Sequence, residues 1–591
     1  MRRSHWVFPA LVVFSYLGIG ALAFWPVLPW STQRLFGDAT PDPGLMVWFL
    51  GWVAHALAHD QNPFLSKAIL LPGGVNLAEN TSMPLLGALF APITLLFGPV
   101  VSANLLMVLA MPMSASAAFM VLRKWEVWRP AAALAGLIYG FSPYMVGESL
   151  GHLSLVFLPL PPLIALTVVS IAKKQGSPLW LGTRLGLLVT AQFLISPEVL
   201  ATVAILGAFT LACAGFHRAP SYVDMARTML VPAVITLAIA GSLLAYPVVL
   251  MVAGPEHFSG PPWPIANPYH NDLLSFLVPG PLQRVTFGLR HLGIRLLNGS
   301  NASESGGYVG IPLLLLAISL AFRSRQRRRM QNAALALGAA IVFSLGPHLV
   351  VDAHLTAVPL PDILLTHVPL LNSILPVRMS FEVDACLAAV IAFGLDDLRR
   401  APGPTTVRSD TSQRTAGILS GILVIVLLVT QFPEWPYRSQ PARLLPEVVR
   451  QVIPPDDPVA VTYPYPGPFN DEFMLWQAQG SFDFRLLGGY ALRPDATAGV
   501  SDWPNLVYPP DLQQFLAGGT SPTIFGPRPP LNSHLVTATR QLLLEYDVQV
   551  VLVDRTAINS ASVIELFTHA IGPPQRSTLN FAVWVNRQAA L

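Results

Sequence analysis

Apolar residues fill this chain in long blocks, neither alternating as in a half-buried strand nor confined to one narrow helical stripe. A helix needs about 20 residues to cross the ~30 Å hydrocarbon core. Blocks near 7–28, 100–122, 130–147, 153–172, 183–196, 198–216, 228–253, 307–322, 332–350, 383–399 and 415–432 approach that length and predict about eleven spans. The first block ends on Trp25, Pro26 and Trp30 with no small-residue cleavage site, so it reads as a span with an interfacial anchor rather than a signal peptide. Ser196-Pro197-Glu198 breaks the 183–216 stretch into two short spans or a kinked re-entrant pair. Residues 84–98 are apolar too, but Pro84, Pro92 and Pro99 favour a segment on the membrane surface.

Composition supports the pattern. Only 11% of the 591 residues are charged and 53% are hydrophobic, against roughly 25% charged in a soluble protein. A soluble enzyme is excluded. The net charge of +3 leaves no nucleic-acid footprint, and Cys213 and Cys386 both lie in apolar blocks, so no disulfide framework is expected. With the N-terminus inside, nineteen Lys and Arg fall on inside segments before residue 433 and six on the longer outside loops. That bias sets the orientation, with a cytoplasmic N-terminus; only four of the 35 basic residues are Lys, which with 56 prolines suggests a GC-rich bacterial source and hence an inner-membrane location. Arg323–Arg329, between two spans, reads as a topology determinant rather than a ligand patch.

Three regions then lie outside: 29–99, 254–306 and the tail 433–591. The tail has fourteen acidic and ten basic residues and no apolar run of span length. Strand-like runs at Pro458–Tyr463, Val548–Asp554 and Phe581–Asn586 alternate with a helical His534–Tyr546. The expected architecture is a mainly α, polytopic helical bundle over 1–432 followed by a C-terminal extracytoplasmic α/β domain. No internal repeat supports an inverted-repeat transporter.

The chemistry-bearing residues gather outside. In the first loop, Gly37-Asp38-Ala39-Thr40-Pro41-Asp42-Pro43 places two carboxylates four residues apart before a helical pattern over Met46–His59. Such an acid can act as general base on a hydroxyl or hold a divalent metal. Asp42, ahead of Pro43, equally fits a helix cap. Glu148 and His152 are one helical turn apart at the outer end of a span, and Glu198 follows the broken hairpin; ionisable groups near the bilayer mark function or pair with one another. Arg290, His291 and Arg295 offer cationic donors for a phosphate, or form a solvated basic loop. Arg378, in Leu375-Pro376-Val377-Arg378-Met379-Ser380-Phe381, is a sharper phosphate candidate, although Glu382 stands one turn on as a possible ion-pair partner. There is no GxSxG elbow, HExxH pair or Walker loop, which argues against a zinc protease or an ATP-driven pump.

The first span, the loop acids Asp38 and Asp42, the many later spans and the outside tail together resemble the GT-C class of integral-membrane glycosyltransferases. Gly307-Tyr308-Val309-Gly310-Ile311-Pro312, Leu364–Phe381 with its Pro376–Phe381 core, and Val550–Asp554 also resemble the YfhO-like branch of bacterial membrane proteins. The GT-C resemblance implies inverting transfer of a sugar from a polyprenyl-phosphate donor to a glycan, glycolipid or glycoprotein acceptor at the outer face. It further implies a catalytic acid in the first loop, matched here by Asp38 with Asp42 second, and in some branches a divalent cation such as Mg2+ or Mn2+. Arg378, Glu148, His152, Glu198, Arg290 and His291 are the expected donor and substrate contacts. A transporter or lipid flippase, or a non-catalytic envelope-assembly protein, remains an open alternative.

Overall fold

The computed structural model describes residues 4–27, 32–38, 40–216, 222–258, 260, 269–400, 426, 429–495, 499–501, 510–517 and 527–585. Through residue 400 its helices are α1 (Ser4–Ala23), α2 (Asp42–Ala58), α3 (Pro84–Phe97), α4 (Pro99–Lys124), α5 (Arg129–Gly140), α6 (Pro143–Glu148), α7 (Leu153–Val156) and α8 (Leu160–Ala172), followed by α9 (Pro178–Phe193), α10 (Pro197–Phe216), α11 (Tyr222–Ala253), α12 (Arg290–Arg295), α13 (Ile311–Arg323), α14 (Arg328–Ser344) and α15 (Ser380–Arg400). By internal contacts the chain forms two units. One comprises Met1–Leu28, Leu106–Leu244 and Trp263–Arg438; the other comprises Pro29–Leu105, Ala245–Pro262 and Ser439–Leu591.

In the first unit α15 is the central helix, packed on α5, α13 and α14, while α9 packs on α8 and α10. Gly182 and Gly186 of α9 face Ile235 and Ile239 of α11 so closely that a Cβ at either glycine would press on the isoleucine within 2.9 Å. Small residues four apart serve helix contact where no hydrophobic effect separates lipid from protein. Among the described residues, Pro99–Lys124, Leu153–Ala172 and Ala226–Ala253 are long and apolar enough to cross a membrane. Leu230, Val234 and Leu237 of α11 are exposed, Leu237 to 71%, an apolar face that suits lipid rather than water.

Several expected blocks are subdivided. The 130–147 block is two helices, because Ser142 caps α6 by accepting the Met145 N–H at 3.3 Å and Pro143 begins a new helix. The 183–216 stretch likewise divides at Ser196-Pro197 into α9 and α10. The 84–98 segment is the 14-residue α3, about 21 Å long and shorter than a bilayer core. The expected span at 415–432 lies almost wholly outside the described residues, as do Trp30 and the basic residues Arg2, Arg3, Arg218, Arg408 and Arg414.

The second unit joins segments far apart in sequence. Strand Arg34–Phe36 pairs antiparallel with Ser439–Pro441, Leu35 facing Gln440. The Asn104 side chain clamps this strand by accepting from Phe36 N at 3.1 Å and donating to Arg34 O at 2.8 Å. Helix α2 packs on α3 and on helix Glu472–Gln479. The tail carries a five-stranded sheet in the order 576–577, 581–585, 548–554, 459–463, 485–486. Val459–Tyr463 and Val548–Asp554 run parallel at its centre. Leu535, Leu542, Leu566 and Phe567 from helices Ser533–Glu545 and Ser560–Ile571 bury against Val461, Val551 and Trp584 of that sheet. Each of the three strand-like runs and the helical run read from the tail sequence is present, within a residue or two of its expected ends.

Candidate functional site

Glu148 ends α6 and His152 follows a three-residue turn that leads into α7. The helix does not continue, yet the pair still meets: His152 Nδ1 lies 2.7 Å from Glu148 Oε2. The turn preserves the spacing because His152 N donates to Glu148 O at 2.8 Å. A third acid joins them. Gly147 lets the backbone at Ser303 come close, since a Cβ there would sit 2.7 Å from Ser303 O, and Gly306 likewise makes room against Tyr144. These two glycines seat the 301–307 loop on α6, which brings Glu304 to Glu148 and His152. One ligand atom from each of Glu148, His152 and Glu304 lies within 4.8 Å of the others.

Arg378 ties this group to Glu198. It sits in the 3-10 turn Pro376–Met379, ahead of α15, so the expected one-turn pairing with Glu382 does not form. Its Nε and Nη2 donate to Glu304 Oε1 at 3.0 and 2.6 Å, and its Nη1 donates to Glu198 Oε2 at 2.6 Å. Glu198, in the first turn of α10, also accepts the Leu375 N–H at 3.1 Å, which fixes the turn that carries Arg378. The structure therefore brings together four of the expected site residues, Glu148, His152, Glu198 and Arg378. Arg290 and His291 are exposed on the short α12, with Arg290 3.5 Å from Glu434, and neither joins the network.

The donor set suits a divalent cation. Three carboxylates (Glu148, Glu198 and Glu304) meet one guanidinium, leaving two positive charges wanting when His152 is neutral. Glu304 is buried, and its Oε2 has no hydrogen-bond partner. An orphaned buried carboxylate oxygen costs free energy unless something cationic or protic meets it. Two carboxylates and an imidazole are ligands of the type that Mn2+, Mg2+ and Zn2+ accept.

The first-loop acids belong to the second unit. Asp38 is half-buried in the loop after strand Arg34–Phe36, its carbonyl accepting the Thr40 N–H at 2.8 Å. Asp42 is the first residue of α2; Pro41, not Asp42, takes the capping position. Asp42 Oδ1 accepts the hydroxyl of Tyr490 from the tail at 2.8 Å. A second tail acid, Asp471, lies against Gly44, where any Cβ would overlap its carboxylate. Burial pushes the Asp471 carboxyl up to about 7, and the nearby Glu472 and Asp42 charges push the same way. A cavity of about 150 Å3 beside them is lined by Thr40, Pro41, Arg443, Asn470, Asp471 and Glu472. An acid poised near neutrality beside a polar cavity has the proton affinity that acid–base work at pH 7 requires.

Glu304, Asp471 and Tyr490 were not singled out in the sequence. Glu304 stands just before the Gly307–Pro312 motif, an acid in a Gly/Ser-rich loop outside the spans, and that position was its only local signal.

A family model described as a domain of unknown function, DUF6311, matches residues 13–374. The chain belongs to this family. No curated protein matches it. Among solved structures it is similar to the arabinofuranosyltransferase AftD from Mycobacteria, with a TM-score of 0.51 at 16% identity over 94% of this chain and 36% of that one. A variant of the same enzyme gives 0.54 at 13% identity over 98% and 41%. ArnT from Cupriavidus metallidurans in the apo state gives 0.48 at 11% identity over 99% and 98%. The chain thus spans well under half the length of the arabinofuranosyltransferase, and the likeness shows a shared fold. That fold agrees with the GT-C-like architecture expected above. The finer likeness to the YfhO-like branch stays a resemblance of short motifs.

Proposed function

We propose that this chain is a membrane glycosyltransferase that moves a sugar from a polyprenyl-phosphate donor to a cell-envelope acceptor at the outer face, with inversion. The observation that carries the reading is the partly buried Glu148–His152–Glu304–Arg378–Glu198 network in a fold shared with an arabinofuranosyltransferase. Bringing together one cation and three acids costs desolvation, which a purely structural helix contact would not need. The lipid of such a donor stays in the bilayer while its phosphate and sugar project outward, so the reactive groups belong at the interface. The same orientation puts the 433–591 domain and the 29–99 loop on the acceptor side.

In this reading Asp38 takes the proton of the acceptor hydroxyl as the glycosidic bond forms, and Asp42 supports the loop from the start of α2. Glu148, His152 and Glu304, all in the first unit, would hold a divalent cation, whose positive charge suits the phosphate of a lipid-linked donor. Arg378 gives Nε, Nη1 and Nη2 to carboxylates and so orients Glu304 and Glu198 beside the phosphate. Arg290 and His291 stay as outlying donors for the lipid phosphate.

The test is transfer by the full chain in lipid, with a polyprenyl-phosphate sugar as donor and envelope glycan as acceptor. Asp38→Asn should lower the rate at least ~100-fold, as loss of a general base does. Full transfer by a correctly inserted Asp38→Asn variant overturns the assignment. Movement of substrate with no new glycosidic bond overturns the enzyme reading itself in favour of a transporter.

A further inference from the structure

A second cavity in the second unit is not lined by Asp38, Asp42, Asp471 or Tyr490. It is an open cleft of about 940 Å3 at the C-terminal end of α2, between that helix and the tail loops 453–457 and 480–485. Ligand sites commonly occupy about 300–1,000 Å3. One wall is a column of rings. Trp48, Trp52, His55 and His59 follow one another at spacings of four, three and four, so they share one face of α2. Trp48 stacks on Trp52 at 5.9 Å with planes 6° apart, Trp52 on His55 at 5.7 Å, and His55 on His59 at 4.2 Å. Phe482 meets the first three at 5.6, 5.4 and 5.0 Å. The column runs from the buried Trp48 to the exposed His59, where it opens into the cleft.

Two further observations concern this wall. Trp48 Nε1 donates to Gln477 Oε1 at 2.7 Å, whereas Trp52 Nε1, on a side chain only 5% exposed that lines the cleft, has no acceptor. A buried indole N–H normally finds one. The lining also holds two pairs of consecutive non-glycine residues in the left-handed region: Asp456 and Asp457 at φ 83° and 53°, and Ser481 and Phe482 at 60° and 63°. Such backbone costs ~1–3 kcal/mol per residue and gathers at binding loops.

The charge on the lining narrows the ligand class. Lys67, Arg450 and Arg485 are balanced by Asp456, Asp457 and Asp483. Burial and the neighbouring His59 hold His55 below its usual range. A balanced wall selects neither an anion nor a cation. What it offers is the exposed His59 ring at the open end of the column, beside many hydrogen-bond donors and acceptors, complementary to the C–H faces and hydroxyls of sugars. A lipid chain would meet too many charges. A peptide adding to the sheet edge would find only the two-residue strand Arg485–Leu486.

We propose that this cleft binds a neutral oligosaccharide chain, with His59, at the open end of the α2 ring column, as the stacking surface and Trp52 Nε1 donating to a sugar hydroxyl. On the glycosyltransferase reading above, on which this step alone rests, that chain is the acceptor glycan, held some 20 Å along α2 from Asp42 at 1.5 Å per residue.

Binding is measured without donor, on the full chain in detergent, with linear neutral arabino-, manno- and gluco-oligosaccharides and an acidic oligosaccharide for comparison. At least one neutral chain should bind saturably, and Trp52→Phe, which keeps the ring and removes the N–H, should weaken it about tenfold. The exposed His59→Ala and Asp483→Ala should weaken it as well, with unchanged thermal unfolding. The proposal is overturned if no neutral chain binds, if the acidic one binds better, or if none of the three variants changes affinity. Transfer to a short acceptor is measured separately: its absence defeats the glycosyltransferase reading while leaving the binding result standing, and its presence without oligosaccharide binding defeats only the cleft.

Discussion

Arg378 donates through two nitrogens to the same oxygen of Glu304, at 3.0 and 2.6 Å, and Glu304 Oε2 is left without a hydrogen-bond partner. The guanidinium holds the carboxylate in place and keeps one of its oxygens available. A lysine cannot reproduce this, because its single ammonium lacks the planar fork that also reaches Glu198. Arg378→Ala should destabilise the chain by about 3–5 kcal/mol, as breaking a buried pair does, and reduce transfer at least ~100-fold. Arg378→Lys should recover part of the stability and little of the transfer. Thermal unfolding and single-turnover transfer on the same preparations separate the two effects.

The charge deficit around Glu148, His152 and Glu304 predicts a cation dependence. Titrating Mn2+ into metal-stripped protein should raise the unfolding temperature, and at a hundredfold excess over Kd the added stability is about 2.7 kcal/mol. Glu148→Gln and Glu304→Gln should abolish the shift. An equal rise in those variants would place the ion elsewhere.

Asp471 predicts a pH dependence with a definite sign. Its carboxyl is raised from an ordinary 3.8 to about 7. Between those values the folded chain keeps the proton and the unfolded chain gives it up. The unfolded state therefore binds fewer protons, and stability falls as pH rises across that window. Asp471→Asn should flatten the slope and make the variant more stable than the parent at neutral pH, as denaturant midpoints measured from pH 4 to pH 8 would show. A steeper slope in the variant would contradict the assignment.

Gly44 is required by the same acid. Gly44→Ala would drive a methyl group into the Asp471 carboxylate, and should cost about 1–3 kcal/mol. Pairing it with Asp471→Ser should recover most of that loss. If the double variant is as unstable as the single one, the conflict lies in the helix rather than with Asp471.

Local features of the fold were legible in the sequence where they depend on local chemistry. The break at Ser196-Pro197, the α2 pattern after Pro43 and the strand runs of the tail all follow from capping, proline geometry or side-chain alternation. Glu148 and His152 meet as their spacing suggested, but through a turn rather than the continuing helix that the spacing implied. The partners of Arg378 were not. Spacing offered Glu382, whereas the 3-10 turn before α15 aims the guanidinium at Glu198 and Glu304, 180 and 74 positions away. No periodicity reports such distances. For the same reason nothing near Asp42 pointed to Tyr490, which meets it across 448 positions.

The pairing of Arg34–Phe36 with Ser439–Pro441 also sets an order of events during synthesis. A ribosome that has delivered the loop containing Asp38 must add roughly 400 more residues before the partner strand exists, since Arg34 and Ser439 are 405 positions apart. Until then the loop and α2 wait without the Tyr490 and Asp471 contacts that complete them. A nascent chain arrested before the tail would carry the acids of the first loop in an unfinished setting.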